Sequence, residues 1–138
     1  MQTRRPERHA RARALQALYA ADVRGGSPTH VAATVFDDLG VDAGARKRAT
    51  QLVRIVEEHS AALDAALTAV TVNWRLERLG AIERSLLRLG AAELIAADTP
   101  PRVVLQEMVR LAERFGGLQS ARFVNGVLDA LARHLGRL

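Results

Sequence analysis

Cysteine is absent from the 138-residue chain, which excludes disulfides and cysteine-ligated zinc or iron–sulfur sites. Long apolar runs are missing as well. Each is broken by charge or proline well short of the ~20 residues that span a bilayer, so no membrane segment is expected. The arginine-rich start leads into Ala14-Leu15-Gln16-Ala17-Leu18-Tyr19, followed directly by Asp22 and Arg24. That stretch is amphipathic and lacks the apolar core of a secretion signal, so a soluble cytoplasmic domain is the expectation. Strand-like alternation is nearly absent too, with Val70-Thr71-Val72 the one short β-like run. Lysine is almost missing: Lys47 stands alone and the other basic residues are arginine. The number of arginines is therefore a composition bias, and only their clustering carries information.

What is present fits a globular domain. Hydrophobic residues make up 49% and charged residues 25%, too apolar for a disordered tail and ordinary for one folded domain of this length. The net charge is +5, and it is unevenly placed. Residues 1–13 set Arg4, Arg5, Arg8, Arg11 and Arg13 against Glu7 alone, so the rest of the chain is close to neutral. A neutral body with a basic arm is the electrostatic outline of a polyanion binder.

Helical periodicity runs through the chain. A first helix opens at Pro6, with Leu15, Leu18 and Tyr19 on one face and Arg8 and Arg11 on the same stripe. A stripe that turns from apolar to arginine predicts a helix protruding past its core. Gly25-Gly26 ends it, and Ser27-Pro28 caps a second helix that stops at Gly40. A third helix follows Asp42 with Ala49, Leu52, Val53 and Val56 inward, and a break is expected at His59-Ser60 before Leu63, Leu67 and Val70. Asn73 reads as a cap for a short turn through Trp74, with Trp74 packed between helical sets. Residues 79–97 form a central helix apolar on most sides, including Leu94 and Ile95. Pro100-Pro101 opens a helix with Val104, Met108, Leu111 and Phe115 inward. Ser120 then caps a last helix facing the core through Val124, Val127, Leu128, Leu131 and Leu135. The fold class is all-α, about seven helices, with a hinge expected between Gly25 and Thr29.

No catalytic constellation emerges. His9, His30, His59 and His134 are scattered, the paired glycines follow helices and not strands, and no serine sits in a nucleophile elbow. Glu57 and Glu58 are adjacent and point to different sides of a helix. No enzyme activity, metal or cofactor is expected.

Four ordered motifs then carry a resemblance. They are Leu15-Gln16-Ala17-Leu18-Tyr19, Asn73-Trp74-Arg75-Leu76-Glu77-Arg78-Leu79, Ile82-Glu83-Arg84-Ser85-Leu86-Leu87-Arg88-Leu89 and Phe123-Val124-Asn125-Gly126-Val127-Leu128-Asp129. Together they span essentially the whole chain, and it resembles the NusB family of bacterial transcription antitermination factors. The resemblance implies two small packed helical subdomains within a single RNA-binding domain, residues 1–138, carrying the arginine-rich arm 1–13. It also implies binding of the boxA element of nascent ribosomal RNA transcripts together with NusE, a small-subunit ribosomal protein. Other Nus factors and RNA polymerase would complete the complex. Both a monomer and a homodimer stay open. The chain departs from the family pattern at Ala92, at Gln106 and at Gln119, where an acidic residue is common before the serine.

Candidate contacts follow. Arg8 and Arg11 are expected to pair with phosphate through their guanidinium forks, or else to form salt bridges to the C-terminal helices, while Arg5 adds attraction without geometry. Phe123 either stacks on an unpaired base, with Arg122 and the helix N-terminus holding its phosphate, or continues the core line with Val127 and Leu131. The motif match puts Gln16 on the RNA side and Tyr19 on the partner side, with a core aromatic the alternative for Tyr19. Glu77, Arg78 and Glu83 would form a polar rim for NusE, though Glu83 also suits the helix dipole alone. Arg88 is expected to pair inside the bundle rim.

Two rival readings remain at this level. A NusB-like domain also forms the N-terminal part of an rRNA cytosine methyltransferase, whose cofactor domain would have to lie beyond Leu138. A helical DNA-binding regulator would need a helix bearing exposed base-reading residues, and none is legible.

Overall fold

The computed structural model describes residues 4–71 and 73–138, with side chains from Glu7 onward except that of Val72. It contains seven α-helices, one 3-10 turn and, among the described residues, no strand. Two compact units divide the chain, residues 1–58 and 59–138. The boundary therefore falls at the helix break at His59 and not at the Gly25–Thr29 loop.

The first unit holds α1 (Arg4–Arg24), α2 (Pro28–Leu39) and α3 (Ala43–Glu58). Helix α1 packs on both of the others. Its buried face is mostly small, with Ala10, Ala14, Ala17 and Ala21 beside Leu15 and Leu18, a spacing that lets helices approach closely. Helix α2 starts as the Ser27-Pro28 pair predicts: Ser27 Oγ accepts from the His30 N–H at 3.3 Å. It ends at Gly40, whose φ of 61° lets the Val41 N–H return to the Phe36 carbonyl at 3.1 Å. Asp42 caps α3, its carboxylate accepting from the Ala45 N–H at 3.0 Å.

The far end of α3 is tied to the start of α2 by one carboxylate. Glu57 Oε1 accepts from the Thr29 N–H at 2.8 Å and from the Ser27 and Thr29 hydroxyls at 2.9 Å each. The Thr29 backbone donor chiefly holds this carboxyl below the usual carboxylate range. The two hydroxyls and the Arg54 charge help, against the opposing pull of burial.

The second unit holds α4 (Ser60–Val70), the 3-10 turn Leu76–Arg78, α5 (Ala81–Ala96), α6 (Pro101–Phe115) and α7 (Leu118–His134). Helix α5 contacts α4, α6 and α7, which is why it must be apolar on most sides. Its run from Ser85 to Leu94 is buried apart from Arg88. Gly90 permits the closest approach, since a Cβ there would stand 2.5 Å from Leu128 Cδ1 and 3.1 Å from Met108 Cγ. Arg88 is structural, as expected, with Nε and Nη2 donating to the two Asp64 oxygens at 2.8 and 2.9 Å.

Several local expectations are corrected. Ile95 and Leu135 sit at helix ends and are exposed. Phe115 is half-buried, with the Arg114 guanidinium 4.8 Å from its ring. Asn73 caps nothing, and Arg75 stands at the N-cap of the 3-10 turn. Ser120 lies inside α7 and not at its cap, because the positive φ of Gly117 (96°) turns the chain into the helix three residues earlier.

Candidate nucleic-acid interface

Between the 3-10 turn and the start of α7 lies a groove of about 820 Å³, all within the second unit. One wall is the turn from Asn73 to Gly80. Leu76 is buried and anchors it. Arg84 holds it from below, its Nη1 donating to the Leu79 carbonyl at 2.7 Å and lying 3.3 Å from that of Leu76. Upstream, the buried Thr71 hydroxyl donates to the Leu67 carbonyl at 2.9 Å, and the Trp74 N–H donates to Thr71 at 3.3 Å. With the turn fixed by these groups, the Trp74 ring is left 58% exposed.

The other wall is the first turns of α7. The N–H groups of Gly116 and Gly117 both reach the Ala112 carbonyl, at 2.7 and 2.8 Å, closing α6 tightly so that α7 begins at once. That brings Gln119, Ser120 and Phe123 to the groove. Glu83, in the first turn of α5, accepts a hydrogen bond from the Ser120 hydroxyl across the floor. Phe123 is half-buried and meets Trp74 edge to face, ring centroids 5.7 Å apart at 76°. Arg75 and Arg78 line the rim, exposed; the Arg78 N–H donates to the Arg75 carbonyl at 3.0 Å, but neither guanidinium has a hydrogen bond or ion pair among the described residues. Arg122 is exposed beside Phe123.

The structure thus brings together Arg78, Glu83 and Phe123 from the expected residues, with Arg122 next to them. Glu77 is exposed on the same turn but does not line the groove. Trp74, Arg75 and Gly80 join the lining without having been assigned a ligand role from sequence. The signal for Trp74 was available: it is the single tryptophan of the chain and sits outside any helical core stripe.

Arg8, Arg11, Gln16 and Tyr19 belong to α1 in the first unit, and the side chain of Arg5 lies outside the described residues. Arg8 is half-buried and Tyr19 is 40% exposed. Gln16 accepts a hydrogen bond from Arg13. Arg11 departs from expectation. It is 4% exposed, with Nη2 3.9 Å from Glu7, so it shares the buried stripe of α1 and does not protrude. Glu7 also takes Arg48 at 3.1 Å, so the one acid of the arm is engaged within the unit.

Among the described residues no three His, Asp or Glu side chains are grouped to hold a metal ion, and no helix is long and apolar enough to cross a membrane.

The comparisons agree with one another. The model of the NusB family matches residues 8–133. The transcription antitermination protein NusB of Sorangium cellulosum is 44% identical over 126 residues, covering 91% of this chain and 90% of its own. That of Anaeromyxobacter dehalogenans is 40% identical, covering 91% and 89%. Among solved structures, antitermination factors NusB and NusE in complex with dsRNA superpose with a TM-score of 0.87 at 31% identity, covering 97% of this chain and 99% of that one. NusB from Aquifex aeolicus gives 0.83 at 32% identity, covering 94% and 88%. With the motifs in order, the all-helical fold and these matches, the chain belongs to the NusB family.

Proposed function

We propose that this chain is a transcription antitermination factor that binds boxA-type RNA of nascent rRNA transcripts jointly with NusE. The observation that carries the reading is the likeness to a relative solved with NusE and RNA, joined to a groove that combines an aromatic pair with unpaired arginines. In this reading Phe123 meets a base, while Arg122 and the start of α7 hold its phosphate. Glu83 and the neighbouring Glu77 face NusE together with Arg78, whose exposed guanidinium on the groove rim also serves RNA phosphate. Arg8 and the arm with Arg5 add phosphate attraction from α1, where Gln16 and Tyr19 serve the RNA and partner sides. Arg11 is left out, because its burial and its approach to Glu7 give its charge a structural use.

Residues 1–138 then act as one RNA-binding domain in the cytoplasm, without catalysis of its own, delivering RNA and NusE to other Nus factors on RNA polymerase. Relatives that this chain covers over about nine-tenths of their length carry the antitermination name, which supports this reading over a methyltransferase domain.

Fluorescence anisotropy of a labelled boxA-like RNA tests it, with and without NusE and beside a scrambled RNA. Affinity that rises with NusE, prefers boxA and falls with salt is the expected result. Equal binding of the scrambled RNA, unaffected by NusE, would remove the reading.

A further inference from the structure

The geometry points to Trp74 as a stacking platform for an unpaired RNA base, forming with Phe123 a two-sided corner that takes a nucleotide out of a strand. We infer this on the reading that the groove binds RNA.

Three observations carry it. Apart from its edge contact with Phe123, the indole is not what holds the turn: Leu76, Thr71 and Arg84 do that, and Trp74 remains 58% exposed. An aromatic ring left in water by a turn that is otherwise anchored has surface available for a ligand. Second, the two rings stand at 76°, so each leaves at least one face uncovered by the other. A base lying flat on one ring meets the second ring at its edge and is held on two sides. A base inside a duplex already has both faces covered by its neighbours and cannot enter such a corner.

Third, the charge around the corner suits a nucleotide. The exposed guanidinium groups of Arg75 and Arg78 have no partner among the described residues, whereas the Glu83 carboxylate accepts from the Ser120 hydroxyl. Free cations beside an open aromatic face are the combination that holds single strands by stacking and phosphate attraction together. An apolar protein segment would leave those arginines desolvated and unpaired, which disfavours it as occupant.

Trp74 is the one tryptophan in the chain, so its emission reports this corner without labelling. The full chain is titrated with unlabelled single-stranded boxA-like RNA and with the same sequence as a blunt duplex, while anisotropy of labelled RNA is followed in parallel. Saturable quenching of Trp74 by the single strand, at the midpoint seen by anisotropy, is expected, with little quenching by the duplex. Trp74→Ala should weaken single-strand binding about tenfold or more and leave duplex binding nearly unchanged. Trp74→Phe should keep most of the affinity, which guards against a misfolded alanine variant.

Normal anisotropy with no quenching and no effect of Trp74→Ala would overturn the stacking role while the RNA reading stands. Equal quenching and equal losses with strand and duplex would overturn the selection of unpaired bases. Quenching by NusE and not by RNA would assign the indole to a protein contact and overturn the proposal. Absence of any anisotropy change would overturn both readings.

Discussion

At the scale of single residues, the groove illustrates how one side chain can set the local field. Gln119 stands exposed at the start of α7, where the family pattern commonly has an acid, and it lines the groove whose other wall carries Arg75 and Arg78. Gln119→Asp would place a carboxylate beside the phosphate path and partly neutralise those arginines, while favouring the helix N-terminus itself. RNA affinity is expected to fall several-fold at low salt, with thermal stability unchanged or slightly raised. Unaltered affinity in an anisotropy titration would show that phosphate does not pass this point.

Glu57 is the counterpart outside the groove, a carboxylate used for structure. Its folded pKa is depressed chiefly by the Thr29 N–H, so its contribution is complete above the unfolded carboxylate pKa and is lost as pH falls through the lower, folded value. Glu57→Gln should therefore be less stable at neutral pH, by about 1 kcal/mol at most for so solvated a group. The gap to the parent should close as the pH drops into the acid range. Urea unfolding midpoints at neutral and acid pH measure this directly.

Among the elements, α5 sets the tightest constraint. Gly90→Ala would gain ~1 kcal/mol of helix propensity, yet the new methyl would collide with the fully buried Leu128 and Met108. Overpacking of ~1–3 kcal/mol outweighs the gain, and a lowered unfolding midpoint is expected. The end of the same helix offers the opposite case. Ala97 closes α5 with φ of 64°, the one described non-glycine residue at positive φ. Ala97→Gly removes ~1–2 kcal/mol of left-handed strain and adds ~0.4–1 kcal/mol of chain entropy. A net gain of about 0.5–1 kcal/mol should appear as a higher melting temperature.

Most element boundaries were legible in the sequence because they rest on local chemistry: Ser27-Pro28, Gly40, Asp42, Pro100-Pro101 and Gly116-Gly117 each stop or start a helix where expected. Ser120 was misread because a polar residue after two glycines resembles a cap, whereas the backbone turn at Gly117 starts α7 without one. Arg11 was misread because periodicity places it on the apolar stripe but does not say how far the buried surface extends. For Trp74 the place outside any core stripe is legible, whereas the anchoring of its turn by Leu76, Thr71 and Arg84 is not, since no local pattern reveals it.

Over the whole molecule, basic side chains are not confined to the arm, although most of their net excess is. Residues 1–58 carry ten basic against seven acidic side chains, and residues 59–138 carry ten against eight. If both units touch phosphate, Arg8→Ala and Arg122→Ala should each flatten the dependence of log affinity on log salt, by about 0.7 per contact removed on a single strand. A slope altered by only one of the two would confine the phosphate path to that unit.

The hydrogen bond between Glu83 and Ser120 has a kinetic corollary. It leaves the bed of the groove already ordered before any ligand arrives, whereas Arg75, Arg78 and the Trp74 ring are all solvent-facing on its rim. Capture then demands no rearrangement of the bed, and ordering costs of about 0.5–1.5 kcal/mol per rotamer-rich side chain fall on the rim alone. Encounter should accordingly be fast and steered by charge. The lifetime of the complex should be set by how long the rim side chains stay closed.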